Sequence, residues 1–378
     1  MKVIHIATTD FGGAAKGMLG LHQALLNIGV DSKILVAEKH SNNNYVVEMA
    51  PNIGVIKYSK HKVFRKIQKL LRKKGFFLTN KEKWDIIIRK VDAIHRASCY
   101  TSVYSNYDIL DHELVKSADI IHLHWVGGFV DYPSFFGHVS KPVLWTIRDE
   151  NPGLGGFHYR AERDQLLSFY REVENHFCNI KRQYIKDIGY LYLNNLSNQM
   201  MDFCSSVDFL SPHPMYKIYN SLDPQSYKLI DRSIAKAALG LSEKDIVVSF
   251  VSVVLSDYRK NLSKLVSAIG NQDIKLVCVG KNDFFKESSD NILCLGMIES
   301  EELMSIVYSA SDVFVSPSLQ ESFGKTIVES LLCGTPVVTT NVGIAPEIIS
   351  KDNGMIVSDT SVETIAKAIK TVLSRYYD

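Results

Sequence analysis

The sequence predicts an α/β protein made of two doubly wound parallel-sheet domains that face each other across a central cleft. Three observations support this fold class. The 378 residues are enough for two domains, each with its own core. In the second half, short runs rich in Val and Ile alternate with helix-like segments, which indicates a parallel sheet covered on both faces. The first half repeats this pattern less regularly.

The second half gives the clearer order of elements. Helices are predicted at 261–270, 300–310, 324–333 and 361–375. The strands predicted around them are IVVSFVSVV, IKLVCVG, NILCLG, DVFVSP, PVVTT and GMIVS. Folds of this kind bind ligands in the loops that follow the strands, so the informative residues should lie there.

The first half is predicted to begin with a strand, VIHIAT, followed by a glycine-containing turn and a helix. Further strands are predicted at SKILVA, DIIHLHW and PVLWTIRD, whereas residues 152–201 are expected to be mainly helical. The segment SPHPMYKIYNSLDP is rich in proline and turn residues and marks the domain boundary. We therefore predict one domain over 1–218 and a second over 219–378.

Composition excludes several classes of protein. No apolar run is long enough to cross a bilayer, and the apolar stretch at the N-terminus is too short for a signal peptide. The six cysteines are scattered without a C-x-x-C pair, which is typical of reduced thiols in a cytoplasmic protein. Basic residues form no extended stripe along the rest of the chain, so we do not expect nucleic-acid binding.

One segment is strongly basic. Residues 57–83 contain eleven lysines and arginines against one glutamate. Apolar residues recur there at three- and four-residue spacing, which predicts a helical insertion with one apolar and one cationic face. Two interpretations stay open: contact with an anionic membrane surface at the inner face of the cytoplasmic membrane, or a surface helix packed on its own domain.

Two glutamates bracket a predicted strand-to-helix junction in SLQESFGKTIVES. If the helix starts near Gly324, its first free N–H groups form an anion site. Glu321 lies before that turn and Glu329 inside the helix, and carboxylates accept hydrogen bonds from sugar hydroxyls. The pattern fits a sugar–phosphate–nucleoside ligand, with Glu321 at the sugar and Glu329 at the ribose. The alternative is that Glu329 only pairs with Lys325 at i,i+4.

The charge of a diphosphate has to be offset. The sequence contains no D-x-D pair to hold a divalent metal, so fixed cations are the other route, and no metal or cofactor is expected. Arg259 and Lys260 follow the strand IVVSFVSVV directly and are candidates for a diphosphate clamp. The alternative is that they form a solvated surface pair.

The first domain offers a second turn suited to phosphate. Gly12 and Gly13 lie between the first strand and its helix, but the full G-x-G-x-x-G is absent. A nicotinamide dehydrogenase is therefore the least favoured function. His122 and His124 lie on one face of a strand, and we expect them in the core or lining the cleft, not binding zinc.

Together these segments resemble the retaining glycosyltransferases of family 4, also called glycosyl transferases group 1, in a polysaccharide-building subgroup. The likeness is strongest over 316–349, which contains the family's E-x7-E pattern as Glu321 and Glu329, the Phe323–Gly324 turn and the C-G-T-P-V-V strand. YNSLD is similar to the interdomain element of the family, and GGAAKG to its first phosphate loop. DIIHLHW and PVLWTIRDENPGLGGFHY resemble the subgroup.

The resemblance implies the GT-B architecture, in which two Rossmann-like domains bind the acceptor and the nucleotide-sugar donor, respectively. It assigns the diphosphate to Lys260, the donor sugar to Glu321 and Phe323–Gly324, and the ribose to Glu329. It also implies metal-independent transfer with retention, from a UDP- or GDP-linked sugar to a glycan or lipid-linked glycan acceptor in surface polysaccharide biosynthesis. The expected catalytic residues are Glu321, Lys260, Arg148 and Asp149. The expected donor-binding residues are Gly13, Arg259, Lys260, Met297, Glu321, Phe323, Gly324, Lys325, Thr326 and Glu329.

Two departures from the family pattern keep alternatives open. Arg148 stands where relatives usually have a histidine near the reacting sugar. The usual arginine five residues before the lysine falls at Leu255, and Arg259 is expected to replace it. The alternatives are a nucleotide-sugar-binding homologue with impaired catalysis and a nucleotide-sugar epimerase of the same architecture.

Overall fold

The structure, a computed structural model, describes residues 1–52, 78–270, 272–286 and 289–377. The predicted basic insertion lies mostly outside these residues. The chain divides into two compact units. Unit 1 comprises Met1–Asn195 with Met200–Ile218, and unit 2 comprises Leu196–Gln199 with Tyr219–Asp378.

Unit 1 is built on one parallel sheet. Its strands are β1 (Lys2–Thr9), β2 (Asp31–Glu38), β3 (Val46–Glu48), β4 (Ile120–Leu123), β5 (Val143–Ile147), β6 (Leu191–Asn195) and β7 (Met215–Lys217). Their order is β3-β2-β1-β4-β5-β6-β7, and neighbouring strands are parallel. From β1 the chain builds the sheet first toward β3 and then, starting at β4, toward β7. The switch point, where such folds bind ligands, therefore lies between β1 and β4.

The helices of unit 1 cover this sheet. They are α1 (Gly13–Asn27), α2 (Asn80–Asp92), α3 (Glu113–Ser117), α4 (Tyr132–His138), α5 (Arg160–Ile185) and α6 (Asn198–Ser206), whose first two residues belong to unit 2. A capping box starts α2, because the Thr79 side chain accepts from the Glu82 N–H and the Glu82 side chain accepts from the Thr79 N–H. The core is aromatic, with Trp145, Phe157, Tyr170 and Phe177 fully buried.

The four strands predicted for the first half are confirmed, and one predicted helical stretch is partly wrong. Residues 152–201 contain the long helix α5, but Leu191–Asn195 form strand β6. Leu191 and Leu193 are both buried, and β6 pairs with β5 on one side and β7 on the other. Pairing on both edges stabilises a short strand that contains two asparagines, which strand propensity alone does not favour.

Unit 2 has a six-stranded parallel sheet. Its strands are β8 (Ile246–Val254), β9 (Ile274–Lys281), β10 (Ile292–Cys294), β11 (Val313–Ser316), β12 (Val337–Thr340) and β13 (Gly354–Val357). The order is β10-β9-β8-β11-β12-β13. The sheet first grows from β8 toward β10 and then, from β11, toward β13, so this switch point lies between β8 and β11.

Helices cover both faces of the second sheet. They are α7 (Arg232–Ala238), α8 (Leu262–Ile269), α9 (Glu301–Ser309), α10 (Lys325–Leu332), α11 (Ala345–Ile348) and α12 (Val362–Tyr377). One core packs α8 and α12 on the sheet, and the other packs α9 and α10 on the opposite face. The six strands and four helices predicted here are confirmed within a few residues. In the described part of the chain, no helix is long and apolar enough to cross a bilayer.

Candidate active site

The switch point of unit 2 brings two strand-end loops together. The loop after β8 forms a short 3-10 turn at Tyr258–Lys260, and the loop after β11 leads to α10. The Leu319 N–H donates to the Arg259 carbonyl at 2.7 Å, and the Asn261 amide donates to the Pro317 carbonyl at 3.3 Å. Asn261 adopts a left-handed conformation with φ 61° to cap α8. The register of neighbouring parallel strands thus fixes residues from both loops in one site.

Lys260 and Glu321 meet at this point. The Lys260 ammonium donates to Glu321 Oε1, and the two side chains are only 22% and 14% exposed. Burial acts to raise the pKa of Glu321, but the charge and hydrogen bond of Lys260 hold it below its usual value. Glu321 is therefore ionised at neutral pH.

Arg259 is paired within its own turn. Its guanidinium lies 2.6 Å from the Asp257 carboxylate, and both side chains are about one-fifth exposed. The alternative of a solvated surface pair is therefore not met, because Arg259 and Lys260 are partly buried and each binds a carboxylate. Together with Asp257 and Glu321 they form a group of two cations and two anions, which we call the strand-end cluster.

The turn before α10 packs against the residues that follow β12. Gly324 has φ +87° and caps the helix, whose first turn contains Lys325 and Thr326. Phe323 is buried, and its carbonyl accepts from the Ile344 N–H at 2.8 Å. A Cβ on Gly343 would lie 2.5 Å from that carbonyl oxygen and 3.1 Å from the Cβ of Glu321. The backbone at Gly343 therefore packs directly on the turn that presents Glu321.

Glu329 lies inside α10 and is only 6% exposed. Tyr227 donates to Oε1 and Tyr308 to Oε2, each at 2.8 Å. The ammonium of Lys325 lies 3.3 Å from Oε1, so the i,i+4 pair considered from the sequence is formed. A carboxylate oxygen accepts about two hydrogen bonds, so Oε2 keeps acceptor capacity and Oε1 is filled. The two tyrosines were not predicted.

Met297 lies apart from these residues. It is 45% exposed and follows β10 at the edge of the sheet, two strands away from β8. Within unit 2 the structure therefore groups Lys260 with Glu321 and Lys325 with Glu329, and leaves Met297 outside both groups.

Unit 1 places Gly13 and Arg148 after two different strands. Gly13 is the first residue of α1, preceded by Gly12 with φ +90°. Arg148 and Asp149 follow β5. They line a small cavity together with Trp125, Asn151 and His158.

Asp149 anchors a buried ion pair that was not predicted. Its Oδ2 accepts from His158 Nδ1 and from Trp125 Nε1, both at 2.6 Å, and its Oδ1 accepts from the Asn151 N–H at 2.9 Å. Burial opposes the charge on His158, but Asp149 and its hydrogen bond raise the pKa of His158 to about 10. The pair is therefore charged at neutral pH. Asp149 and His158 are only nine residues apart in DENPGLGGFH, and this short spacing was the feature of the sequence that could have indicated the pair.

Arg148 contacts a buried row of histidines. Its Nη2 donates to His124 Nδ1 at 3.0 Å, and burial lowers the pKa of Arg148 to about 10. His124 must then carry its proton on Nε2, which donates to His5 Nδ1 at 3.0 Å. His5 lies opposite His122 in the β1–β4 pairing, which the sequence could not reveal.

Among the described residues, His5, His122 and His124 form the cluster whose geometry could hold a metal ion. Burial lowers the pKa of His5 to about 3 and the pKa values of His122 and His124 well below the usual range, so all three rings are neutral. A divalent cation would, however, lie beside the Arg148 guanidinium without a carboxylate ligand in the cluster. The three rings form a neutral core chain, as expected for His122 and His124.

The comparisons with known proteins show a family match in unit 2. Residues 231–376 match the family described as glycosyl transferases group 1. This match covers most of unit 2 and confirms the resemblance seen in the motifs of that unit.

Two curated relatives are similar over different extents. An uncharacterized glycosyltransferase of Methanocaldococcus jannaschii is 24% identical over 69% of this chain and 67% of its own length. A D-inositol 3-phosphate glycosyltransferase of Mycobacterium sp. (strain KMS) is 32% identical over 42% of this chain. The match spans only 39% of that mycobacterial protein.

Solved structures match almost the whole chain. Sucrose-phosphate synthase from Thermosynechococcus elongatus covers 99% of this chain and 90% of its own at a TM-score of 0.66 and 18% identity. The Anabaena protein HepE, solved with UDP-glucose, covers 100% of this chain and 90% of its own at 0.60 and 16%. The chain therefore has the GT-B fold of two Rossmann-like units.

Proposed function

We propose that the chain is a retaining, metal-independent glycosyltransferase. It moves a sugar from a UDP- or GDP-linked donor to a glycan or lipid-linked glycan acceptor in the synthesis of a surface polysaccharide, in the cytoplasm at the inner face of the membrane. The observation that supports it most is the strand-end cluster: Lys260 and Glu321 meet at the switch point of a group 1 domain, beside the N-terminus of α10.

The charges in unit 2 suit a nucleoside diphosphate. Lys260 and Arg259 offer two cations after β8, and the free N–H groups of Lys325 and Thr326 in the first turn of α10 add the positive end of a helix dipole. Gly324 has no side chain to obstruct a phosphate that approaches this turn. The shared fold with a protein solved with UDP-glucose also favours a nucleotide-sugar donor.

The reaction needs stabilisation of the departing diphosphate. As the bond between the sugar and the phosphate breaks, negative charge grows on the phosphate oxygen, and Lys260 with the α10 N–H groups would offset it. Glu321 would accept hydrogen bonds from the donor sugar, Oε2 of Glu329 would accept one from the ribose, and Phe323–Gly324 would line the sugar site. Met297 would lie on the side of the base. Unit 1 would contribute the acceptor site, the catalytic residues Arg148 and Asp149, and Gly13 as a donor-binding residue.

Transfer assays with single variants test this function. We expect Lys260→Ala to lower the rate of sugar transfer by about 100-fold or more, the usual loss when one donor to a developing anion is removed. Glu321→Ala should lower the rate by about 100-fold, because it removes the acceptor that positions the donor sugar. Lys264→Ala, which alters an exposed lysine on α8, is the matched control and should keep the wild-type rate. Wild-type turnover in both site variants with the correct donor would refute the site.

A further inference from the structure

We propose that Glu321 makes the donor site discriminate between the nucleotide sugar and the bare nucleoside diphosphate, so that the product binds less tightly than its charge would otherwise allow. This inference rests on the proposed function and concerns the same site. It assigns to Glu321 a role in product release in addition to its contact with the donor sugar.

The first support is the charge balance of the strand-end cluster. Lys260 is bound to Glu321, and Arg259 is bound to Asp257. Both cations therefore already have a carboxylate counter-ion before a ligand arrives. A diphosphate that enters the cluster has to share Lys260 with the carboxylate of Glu321, and the two anions repel each other over a short distance in a partly buried site.

The second support is the position of Glu321, which is fixed. The backbone of Gly343 packs against Glu321 and Phe323, and the Ile344 N–H holds the Phe323 carbonyl at 2.8 Å. Gly343 is in turn tied to the Gln199 side chain, whose Oε1 accepts from its N–H at 3.0 Å. The turn thus has little room to carry the carboxylate away from an incoming phosphate.

The charge of Glu321 persists at neutral pH. Burial favours the protonated acid, but Lys260, Ser318 and Arg259 together keep the pKa of Glu321 below its usual value. A diphosphate therefore meets an ionised carboxylate and not a neutral acid that could donate a hydrogen bond to it.

The two ligands differ in how they meet this carboxylate. At neutral pH a nucleoside diphosphate carries roughly one more negative charge than its sugar ester, because its terminal phosphate keeps a second ionisable oxygen. The sugar ester instead brings hydroxyl donors. A carboxylate has about four acceptor positions, and Lys260 donates to Oε1 of Glu321, so acceptor capacity remains for sugar hydroxyls. Glu321 therefore weakens the binding of the product more than the binding of the donor.

Calorimetric titration of wild type and Glu321→Gln tests the inference. The probes are UDP with UDP-glucose and GDP with GDP-mannose, each titrated at constant ionic strength. We expect Glu321→Gln to bind the diphosphate at least about tenfold tighter relative to its sugar ester than the wild type does, since the amide removes the repulsion and weakens the sugar contact.

Two further variants keep the result interpretable. Glu321→Asp retains the charge and should keep the wild-type ratio of the two dissociation constants within about threefold. Glu363→Gln removes an exposed carboxylate on α12 and should change neither constant. Thermal melts of all variants confirm that each is folded.

Different failures separate the inference from the function beneath it. If wild type binds a diphosphate and its sugar ester but Glu321→Gln leaves their ratio unchanged, or weakens the diphosphate, the discrimination by Glu321 is refuted and the donor site stands. If wild type binds none of the four probes, the proposed function fails, and the inference with it.

Discussion

At the scale of single residues, buried charges decide what each site can do. Unit 1 buries the Asp149–His158 pair next to Arg148, whereas unit 2 leaves Lys260 and Glu321 partly exposed. Breaking a buried pair leaves an uncompensated charge in the interior and is costly. A partly exposed pair can exchange partners with a ligand at lower cost. The two pairs therefore differ in how readily a ligand could replace one partner.

The Asp149–His158 pair gives a prediction about stability. We expect His158→Gln to lower the free energy of unfolding of unit 1 at pH 6 by about 3–5 kcal/mol, the usual cost of removing one partner of a buried pair. The pKa of His158 is raised by folding from 6.5 to about 10, so its contribution is complete below pH 6.5 and is lost as pH rises toward 10. The difference between variant and wild type should therefore shrink between pH 6.5 and 10.

Tryptophan fluorescence during chemical denaturation measures this effect. All three tryptophans, Trp84, Trp125 and Trp145, belong to unit 1, so their emission reports its unfolding. His138→Gln replaces an exposed histidine on α4 and is the matched control. A loss that grows with pH, or one no larger than in the control, would contradict the assignment of a charged pair.

Arg148 separates an active enzyme from an impaired homologue. We expect the wild type to transfer sugar, and Arg148→Met to reduce kcat by roughly 100-fold, because it removes a buried cation from the proposed catalytic residues. Arg171→Met, on the exposed face of α5, should have no effect. The transfer rate of Arg148→His is the deciding comparison. Inactive wild type with activity gained in Arg148→His would favour the impaired homologue.

At the scale of elements, the loops that follow β8 and β11 form the proposed donor site because the two strands are neighbours at the switch point. Strand order therefore brings Lys260 to Glu321, which are 61 residues apart in the chain. Gly343 follows β12, and its backbone packs against Glu321 and Phe323 in the turn between β11 and α10. The site depends on three consecutive strand ends of one sheet.

Gly343→Ala tests this dependence. Any Cβ at a left-handed position costs about 1–2 kcal/mol, and at Gly343 it would also lie 2.5 Å from the Phe323 carbonyl oxygen. Gly240→Ala is the matched control, because Gly240 has φ +72° and open space around it. We expect nucleotide affinity, measured by titration, to fall about tenfold or more in Gly343→Ala and to be unchanged in Gly240→Ala. Equal affinities in the two variants would show that Gly343 does not support the site.

Much of this could be predicted at the level of elements. The strands of unit 2 are runs of β-branched residues between helical segments, so their succession along the chain and the loops after them can be read from periodicity. The contacts of Glu329 could not, since Tyr227 and Tyr308 lie 102 and 21 residues away and depend on how α9 and α10 pack. His5 joined the histidine row only through the register of β1 and β4.

At the scale of the whole molecule, the chain combines a group 1 unit with a second Rossmann-like unit. The relation between sequence and function differs between them. The family match covers almost the full length of unit 2. The role of unit 1, in contrast, is inferred only from its fold and from a few residues at the ends of its strands. Donor binding by unit 2 can therefore be tested without knowledge of the acceptor or the linkage.

The most direct measurement is a thermal-shift panel with UDP, GDP, ADP, CMP and NAD on wild type, Lys260→Ala and Lys264→Ala. A ligand at one hundred times its Kd stabilises the folded state by about 2.7 kcal/mol, which a melt detects. We predict a shift with UDP or GDP that is lost in Lys260→Ala and kept in Lys264→Ala. No shift with any nucleotide, or a shift with NAD alone, would contradict a nucleotide-sugar donor site in this chain.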